Sequence, residues 1–217
     1  MGLKEIKSLR RAVYLWREFI NRRSYTIGKE NKRIWEGIRI NTRIHIRGDR
    51  NRLIVEKGCM VKDTLIHIVG NDNTIVLHNN AYVSGAELWL EDDGCSLEIG
   101  KKTFVGHHSH LACTEGCKMV IGDNCLISSF VQIRTGDSHS IFDLEGKRIN
   151  YGENVRIGDH CWIGQGAKIL KGVKLDEDII VSTGAIVTKP FPSKVMVGGV
   201  PAKVLKEDVT WSEERVL

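Results

Sequence analysis

The chain of 217 residues contains no apolar run of 18 or more, so no segment of it reads as a membrane-spanning helix. Its first residues scatter Lys4, Lys7, Arg10, Arg11 and Arg17 through the apolar positions, which breaks up the core that a secretory signal needs. A soluble, cytoplasmic protein is the expectation. Proline is scarce, with three residues, and aromatics make up only 6%. With 41% hydrophobic and 27% charged residues, wholesale disorder is excluded. Six cysteines occur without any C-x-x-C pair, which argues against the usual structural zinc spacing.

What is abundant is β-branched. Isoleucine (24) and valine (19) together far outnumber leucine (16), favouring strands. Glycine is frequent at 22. Charge is lopsided: residues 1–52 carry a local net of +10 and the remainder −5. A basic arm of this kind suits nucleic acid, an anionic membrane surface or an acidic substrate, or is simply a solvated face.

Repeats decide the fold class. From Ile157 a six-residue beat runs through Ile163, Ile169, Leu175, Val181 and Val187, with small or apolar residues (Cys161, Ala167, Val173, Ile179, Ala185) four positions after most beats. Neither the 3.6-residue period of a helix nor the two-residue period of a strand explains it. A three-sided solenoid does, with one branched aliphatic per face pointing inward and stacking coil upon coil. The preceding half repeats every 22 residues. Val55, Leu77, Ile99 and Ile121 form one column, Leu53, Ile75, Leu97 and Met119 a second, and Val61, Val83, Val105 and Ile127 a third; Asn51, Asn73, Cys95 and Cys117 align at a turn. A 22-residue coil reads as an 18-residue coil with one corner enlarged.

The beat stops after Ile133 and resumes at Val155–Ile157. Residues 134–154 are polar and turn-rich, and a loop ejected from a regular scaffold is a natural place for function. The division read from sequence is therefore a basic arm (1–30), with an amphipathic helix over 3–22, then a β-solenoid (31–200), then a tail (201–217) with a turn and a short helix. The arm helix suits capping of the solenoid end, packing on another subunit, or lying on a membrane.

The segments WIGQGAKILKGVKL (162–175), STGAIVTK (182–189) and GGVPAKVLK (198–206), with the loop RTGDSHSIFD (134–143), resemble the hexapeptide-repeat acyltransferases of left-handed β-helix fold, and among them bacterial polysaccharide and sugar O-acetyltransferases. The resemblance implies an all-β left-handed parallel β-helix, a homotrimer, and acetyl-coenzyme A as co-substrate bound between subunits, with no metal. It implies acetyl transfer to a hydroxyl of a sugar or cell-surface polysaccharide. His139 takes the position of the general base, with Asp137, Asp143 or a backbone carbonyl left open as the group that orients it. Trp162 falls at the coenzyme end of the site. A backbone N–H near Gln165 lies by the acetyl group. Thr183, Thr188 and Lys189 match coenzyme contacts, and Lys203 and Lys206 match phosphate contacts, although lysine there departs from the commoner basic pattern. His108 matches an acceptor-binding position. No nucleic-acid partner is expected; residues 3–22 are the segment suited to peripheral contact with the inner face of a membrane.

Three other readings compete. An N-acetyltransferase acting on an amino-sugar would use the same donor. A zinc carbonic anhydrase of the same fold would need three convergent histidines, for which His107, His108 and His110 are too close together in sequence. A non-catalytic spacer would have no use for the 134–154 loop. The cysteines read as buried free thiols, with Cys95 and Cys117 stacked closely enough to bridge on oxidation.

Overall fold

A computed structural model describes residues 23–214. The expected helix over 3–22 lies outside the described residues. From Tyr25 the chain winds through successive three-strand coils, and strands on like faces pair in parallel to form three long sheets of eight, seven and nine strands. Face A begins with Tyr25–Ile27 and ends with Ile186–Val187; face B runs from Lys32–Trp35 to Lys174–Leu175; face C runs from Ile38–Ile40 to Ala202–Glu207. Among the described residues there is no helix, and so none long and apolar enough to cross a membrane.

Alternation within each strand drives the winding. Inward positions take branched aliphatics and outward ones polar or aromatic residues. The six beats from Ile157 to Val187 visit faces B, C and A in turn, and all six side chains are buried. Val55, Leu77, Ile99 and Ile121 are direct cross-strand partners on face B, and Val61, Val83, Val105 and Ile127 on face C. Each coil thus buries its apolar edge against its neighbours.

The 22-residue coils differ from expectation in one respect. Their four extra residues do not swell a corner. They lengthen faces A and B on either side of it and add a second inward column to each: Ile68, Leu90 and Cys113 on face A, and Leu53, Ile75, Leu97 and Met119 on face B. Extended strand satisfies every backbone donor and acceptor through the neighbouring coil, which a longer turn would not. After residue 154 the register step falls to 18, as in Arg156 paired with Lys174. The solenoid therefore narrows at the A–B corner, and residues 135–154 leave the ladder at that ledge.

Buried asparagines hold the A–B corner in the lower coils. Asn51 Oδ1 accepts the Asn73 N–H at 3.0 Å, and Asn73 Oδ1 accepts the Cys95 N–H at 2.8 Å. Their side-chain amides donate to the Gly70 and Asp92 carbonyls, each at 2.9 Å. These contacts replace the ladder bonds that a sharp turn leaves unmade. Cys95 and Cys117 continue the column, and the Cys113 thiol also lies against Cys95 while donating to the Cys117 carbonyl at 2.9 Å. All six cysteines are free and buried; the hydrogen bond to Cys95, then burial, pushes the Cys113 thiol well above its ordinary range.

The tail departs from expectation. Ala202–Glu207 is a strand, antiparallel to Val195–Gly199 at the end of face C, and not a helix. An open face C edge offers a row of unpaired backbone groups that strand pairing satisfies and a helix would leave exposed. Residues 208–211 then fold back: Trp211 stacks on His160 at 4.7 Å, its Nε1 donates to the His160 carbonyl at 2.8 Å, and Thr210 donates to Asp178.

Two predictions follow from these contacts. Asn73→Ala strands the buried Cys95 N–H and the Asp92 carbonyl, and we expect a loss of about 1–3 kcal/mol in urea unfolding with the m-value unchanged. Burial, and then the neighbouring charge of His45, hold the half-buried His67 imidazole down to a pKa of about 4. The unfolded imidazole takes a proton near its ordinary value of about 6.5, so stability from this site is full above that pH and is lost as the pH falls towards 4. His67→Phe should flatten the stability profile between pH 7 and pH 5, measured by chemical denaturation.

Candidate active site

The ejected loop is braced at both ends of the ledge. From the wider coil below, Glu115 binds Arg148 at 2.6 Å and accepts the Gly152 N–H at 3.1 Å. From the narrower coil above, Lys171 reaches Asp137 at 2.5 Å. The Arg148 guanidinium, and then the Gly152 N–H, hold Glu115 below the usual carboxylate range; Lys171, and then Asn150, do the same for Asp137. Inside the loop, the Asp143 carboxylate accepts the N–H groups of Glu145 and Lys147, closing a tight turn.

Asn150 is the hub. Although it belongs to the loop it is only 7% exposed. Its Oδ1 accepts the Ile141 N–H at 2.6 Å, while its Nδ2 donates to Asp137 at 2.9 Å and to the His139 carbonyl at 2.8 Å. The loop is closed around the residue it carries, and the His139 side chain is exposed to solvent. Both carboxylates considered as its orienting partner are engaged elsewhere: Asp137 by Asn150 and Lys171, Asp143 by the turn. Among the described residues the His139 imidazole itself has no hydrogen-bond partner.

The other residues singled out from the sequence fall on three different parts of the surface. His107, Ser129, Gln165 and Thr183 form a column at the C–A corner, linked by backbone bonds such as Gly184 N–H to the Gln165 carbonyl at 2.8 Å. Gln165 and Thr183 are exposed, and among the described residues the Gln165 N–H has no acceptor. His108 is on the same edge at φ 58, the left-handed position that glycine fills at Gly166 and Gly184, and its ring stacks on Phe130 at 4.9 Å. Thr188 and Lys189 follow the last face A strand at the A–B corner, on the same edge as the loop, with Lys189 over Phe191 at 5.6 Å. Trp162, Lys203 and Lys206 are exposed on face C.

One face therefore separates the His139 loop from the Gln165 column. Six residues of extended chain span about 20 Å, so one copy of the chain does not bring the two together. Trp162 keeps an exposed face, but its indole N–H is occupied by Ser128 Oγ at 3.3 Å, and Trp211 from the tail approaches to 5.9 Å. The three clustered histidines diverge: His107 meets Ser84 at 3.2 Å, His108 stacks on Phe130, and His110 lies 3.9 Å from Glu87. Among the described residues, no three His, Cys, Asp or Glu side chains converge as metal ligands.

Comparison with known proteins now bears on this geometry. Residues 154–189 match the family described as the hexapeptide repeat of succinyl-transferase. The polysialic acid O-acetyltransferase of Neisseria meningitidis is 32% identical over 175 residues, covering 80% of each chain. The chain belongs to the hexapeptide-repeat acetyltransferases. The polysialic acid O-acetyltransferase of Escherichia coli O1:K1 / APEC is 33% identical over 120 residues, 55% of this chain and 39% of that longer relative. Among solved structures, the polysialic acid O-acetyltransferase OatWY superposes with a TM-score of 0.83 at 28% identity, covering 88% of this chain and 93% of that one. The polysialic-acid-specific acetyltransferase NeuO gives a TM-score of 0.80 at 29% identity, covering 86% and 87%. The solenoid is thus the left-handed β-helix of this family, and the protein is an acyltransferase.

Sequence reasoning missed Glu115, Asn150 and Lys171, which shape the loop across sequence gaps of up to 37 residues. No spacing signals such contacts. Asn150→Ala would leave the Ile141 N–H and the His139 carbonyl without partners. Amide exchange over 137–141 should then quicken by about tenfold or more, because one net hydrogen bond is worth about 1 kcal/mol and several are lost together, while exchange in the inward columns stays unchanged.

Proposed function

We propose that the protein transfers the acetyl group of acetyl-coenzyme A to a hydroxyl of a sugar or cell-surface polysaccharide, with His139 as general base, in a site completed by a neighbouring subunit of a homotrimer. The observation that carries this reading is the braced loop, which presents one exposed imidazole from a scaffold otherwise occupied by its own packing. The polysialic acid O-acetyltransferases among its relatives support a hydroxyl acceptor on a polysaccharide and an acetyl donor.

An alcohol is a poor nucleophile near neutral pH. In this reading a His139 ring nitrogen takes the hydroxyl proton as the sugar oxygen bonds to the thioester carbonyl carbon. The resulting oxyanion needs a preorganised donor, and the Gln165 N–H, which like those of His107, Ser129 and Thr183 in its column has no acceptor among the described residues, can supply it. Collapse breaks the carbon–sulfur bond, and the imidazolium returns the proton to the leaving thiolate. Because His139 and Gln165 are on opposite sides of face A, the two roles meet when the loop of one copy faces the column of the next.

Face C supports such packing. Its outward row runs Tyr82, Phe104, Leu126, Trp162 in direct cross-strand register, an apolar stripe that a second copy would cover. Trp162, Thr183, Thr188, Lys189, Lys203 and Lys206 are the candidate coenzyme contacts, and the lysines would meet its phosphates as point charges.

His139→Ala tests the reading. Acetyl transfer to a polysaccharide acceptor should fall by about 10²–10⁴-fold, while the melting temperature and the oligomeric state in sedimentation stay those of the parent. Turnover at the parental rate in that variant would refute the base assignment. A base-stable rather than base-labile acetyl product would indicate transfer to nitrogen.

A further inference from the structure

The outer side of face A carries one residue per coil in direct register: Tyr25, His45, His67, Trp89, Ala112 and Arg134. The lower rings stack, with Tyr25 on His45 at 4.5 Å and His67 on Trp89 at 3.8 Å. The stack ends at Ala112, whose small side chain is 8% exposed. One coil above it stands Arg134, the last residue of its strand and five positions before His139. Trp89 and Arg134 are thus two strand spacings apart, about 10 Å, with alanine as the floor between them.

Among the described residues Arg134 lacks partners: its Nε is buried and makes no hydrogen bond, and the guanidinium forms no ion pair. Two carboxylates flank this row and both are engaged elsewhere: Glu91 accepts the Trp89 Nε1–H at 3.2 Å, and Glu87 is directed at His110, 3.9 Å away. The His110 ring is 6.2 Å from Trp89. Burial, and then the Arg134 charge, lowers its proton affinity, so His110 is neutral at pH 7 and adds no second cation to the site. A guanidinium with a buried, unmet donor is costly, and a planar carboxylate arriving from outside satisfies it through paired charge-assisted hydrogen bonds.

We propose that Arg134 binds the carboxylate of an acidic sugar in the acceptor chain, with the Trp89 ring as the wall on which that sugar packs and Ala112 as the floor beneath it. This rests on the acetyl-transfer reading for its purpose and makes it specific: the acceptor is anionic, and it reaches the His139 loop along face A. A row of rings placed one per coil suits a chain lying along the solenoid axis, because its sugars repeat on a similar scale.

The probe is an α-linked sialic acid oligomer and the same oligomer with its carboxylates reduced to alcohols. Direct titration should show that the parent protein binds the acidic oligomer more tightly than the reduced one. Arg134→Gln should weaken binding of the acidic oligomer by about ten- to a hundredfold, the worth of a charge-assisted pair, and leave the reduced oligomer unaffected. Arg134→Lys should recover only part of the loss, since it restores the charge without the fork. In turnover the loss should appear in KM for the acidic acceptor and not in KM for acetyl-coenzyme A. Equal binding of both oligomers by the parent protein, or equal weakening of both by Arg134→Gln, overturns the proposal. So does a change of oligomeric state in Arg134→Gln, which would assign the guanidinium's partner to a carboxylate of a second copy. Binding that depends on Arg134 without any acetyl transfer would instead sink the acetyl-transfer reading and leave the anion site standing.

Discussion

The molecule depends on stacking one branched aliphatic per face directly over the next, coil after coil. That single repetition fixes the strand register, the spacing of the corners and the direction of every outward side chain. Burial of the columns supplies the hydrophobic gain, and the parallel ladders satisfy the backbone that the gain would otherwise strand. A coil has no other core to fall back on. The regularity is therefore enforced locally at every step and leaves little of the interior free for chemistry.

Function is accordingly written on corners and outer rows. The step from 22-residue to 18-residue coils makes a ledge at the A–B corner, and the ledge holds the loop from below through Glu115 and from above through Lys171. Asn150 ties the loop around His139. The same regularity carries Gln165 and Thr183 to the far side of face A, with the loop at the near side. The separation is a consequence of the triangular cross-section. It is the physical reason that the proposed site requires a second copy: three flat faces cannot turn two corners towards one another within one chain.

How much was legible from sequence follows from which contacts are periodic. Val55 over Leu77 over Ile99 could be read off as a column because identical environments recur at identical spacing. So could the interruption at 134–154 and the histidine within it. The pattern over 201–217 suggests a turn and a short helix without placing it, because a short segment of mixed lysine and aliphatic residues carries no decisive period; the strand at Ala202–Glu207 arises from pairing with Val195–Gly199 at an open sheet edge that only the folded solenoid creates. The Cys95–Cys113 contact escaped a reading built on the 22-residue column, since a corner brings residues of different columns together.

By itself, the order of residues determined a three-sided β-helix, its two coil lengths and the loop that leaves it, because each depends on a period that short-range burial imposes. Tertiary structure alone decided which groups brace that loop, that the Trp162 indole is already bonded to Ser128, and that Arg134 stands above Ala112 without a partner among the described residues. Those facts arise where distant coils meet at one height on the solenoid, and a side chain's partners there are chosen by geometry in space, not by position along the chain.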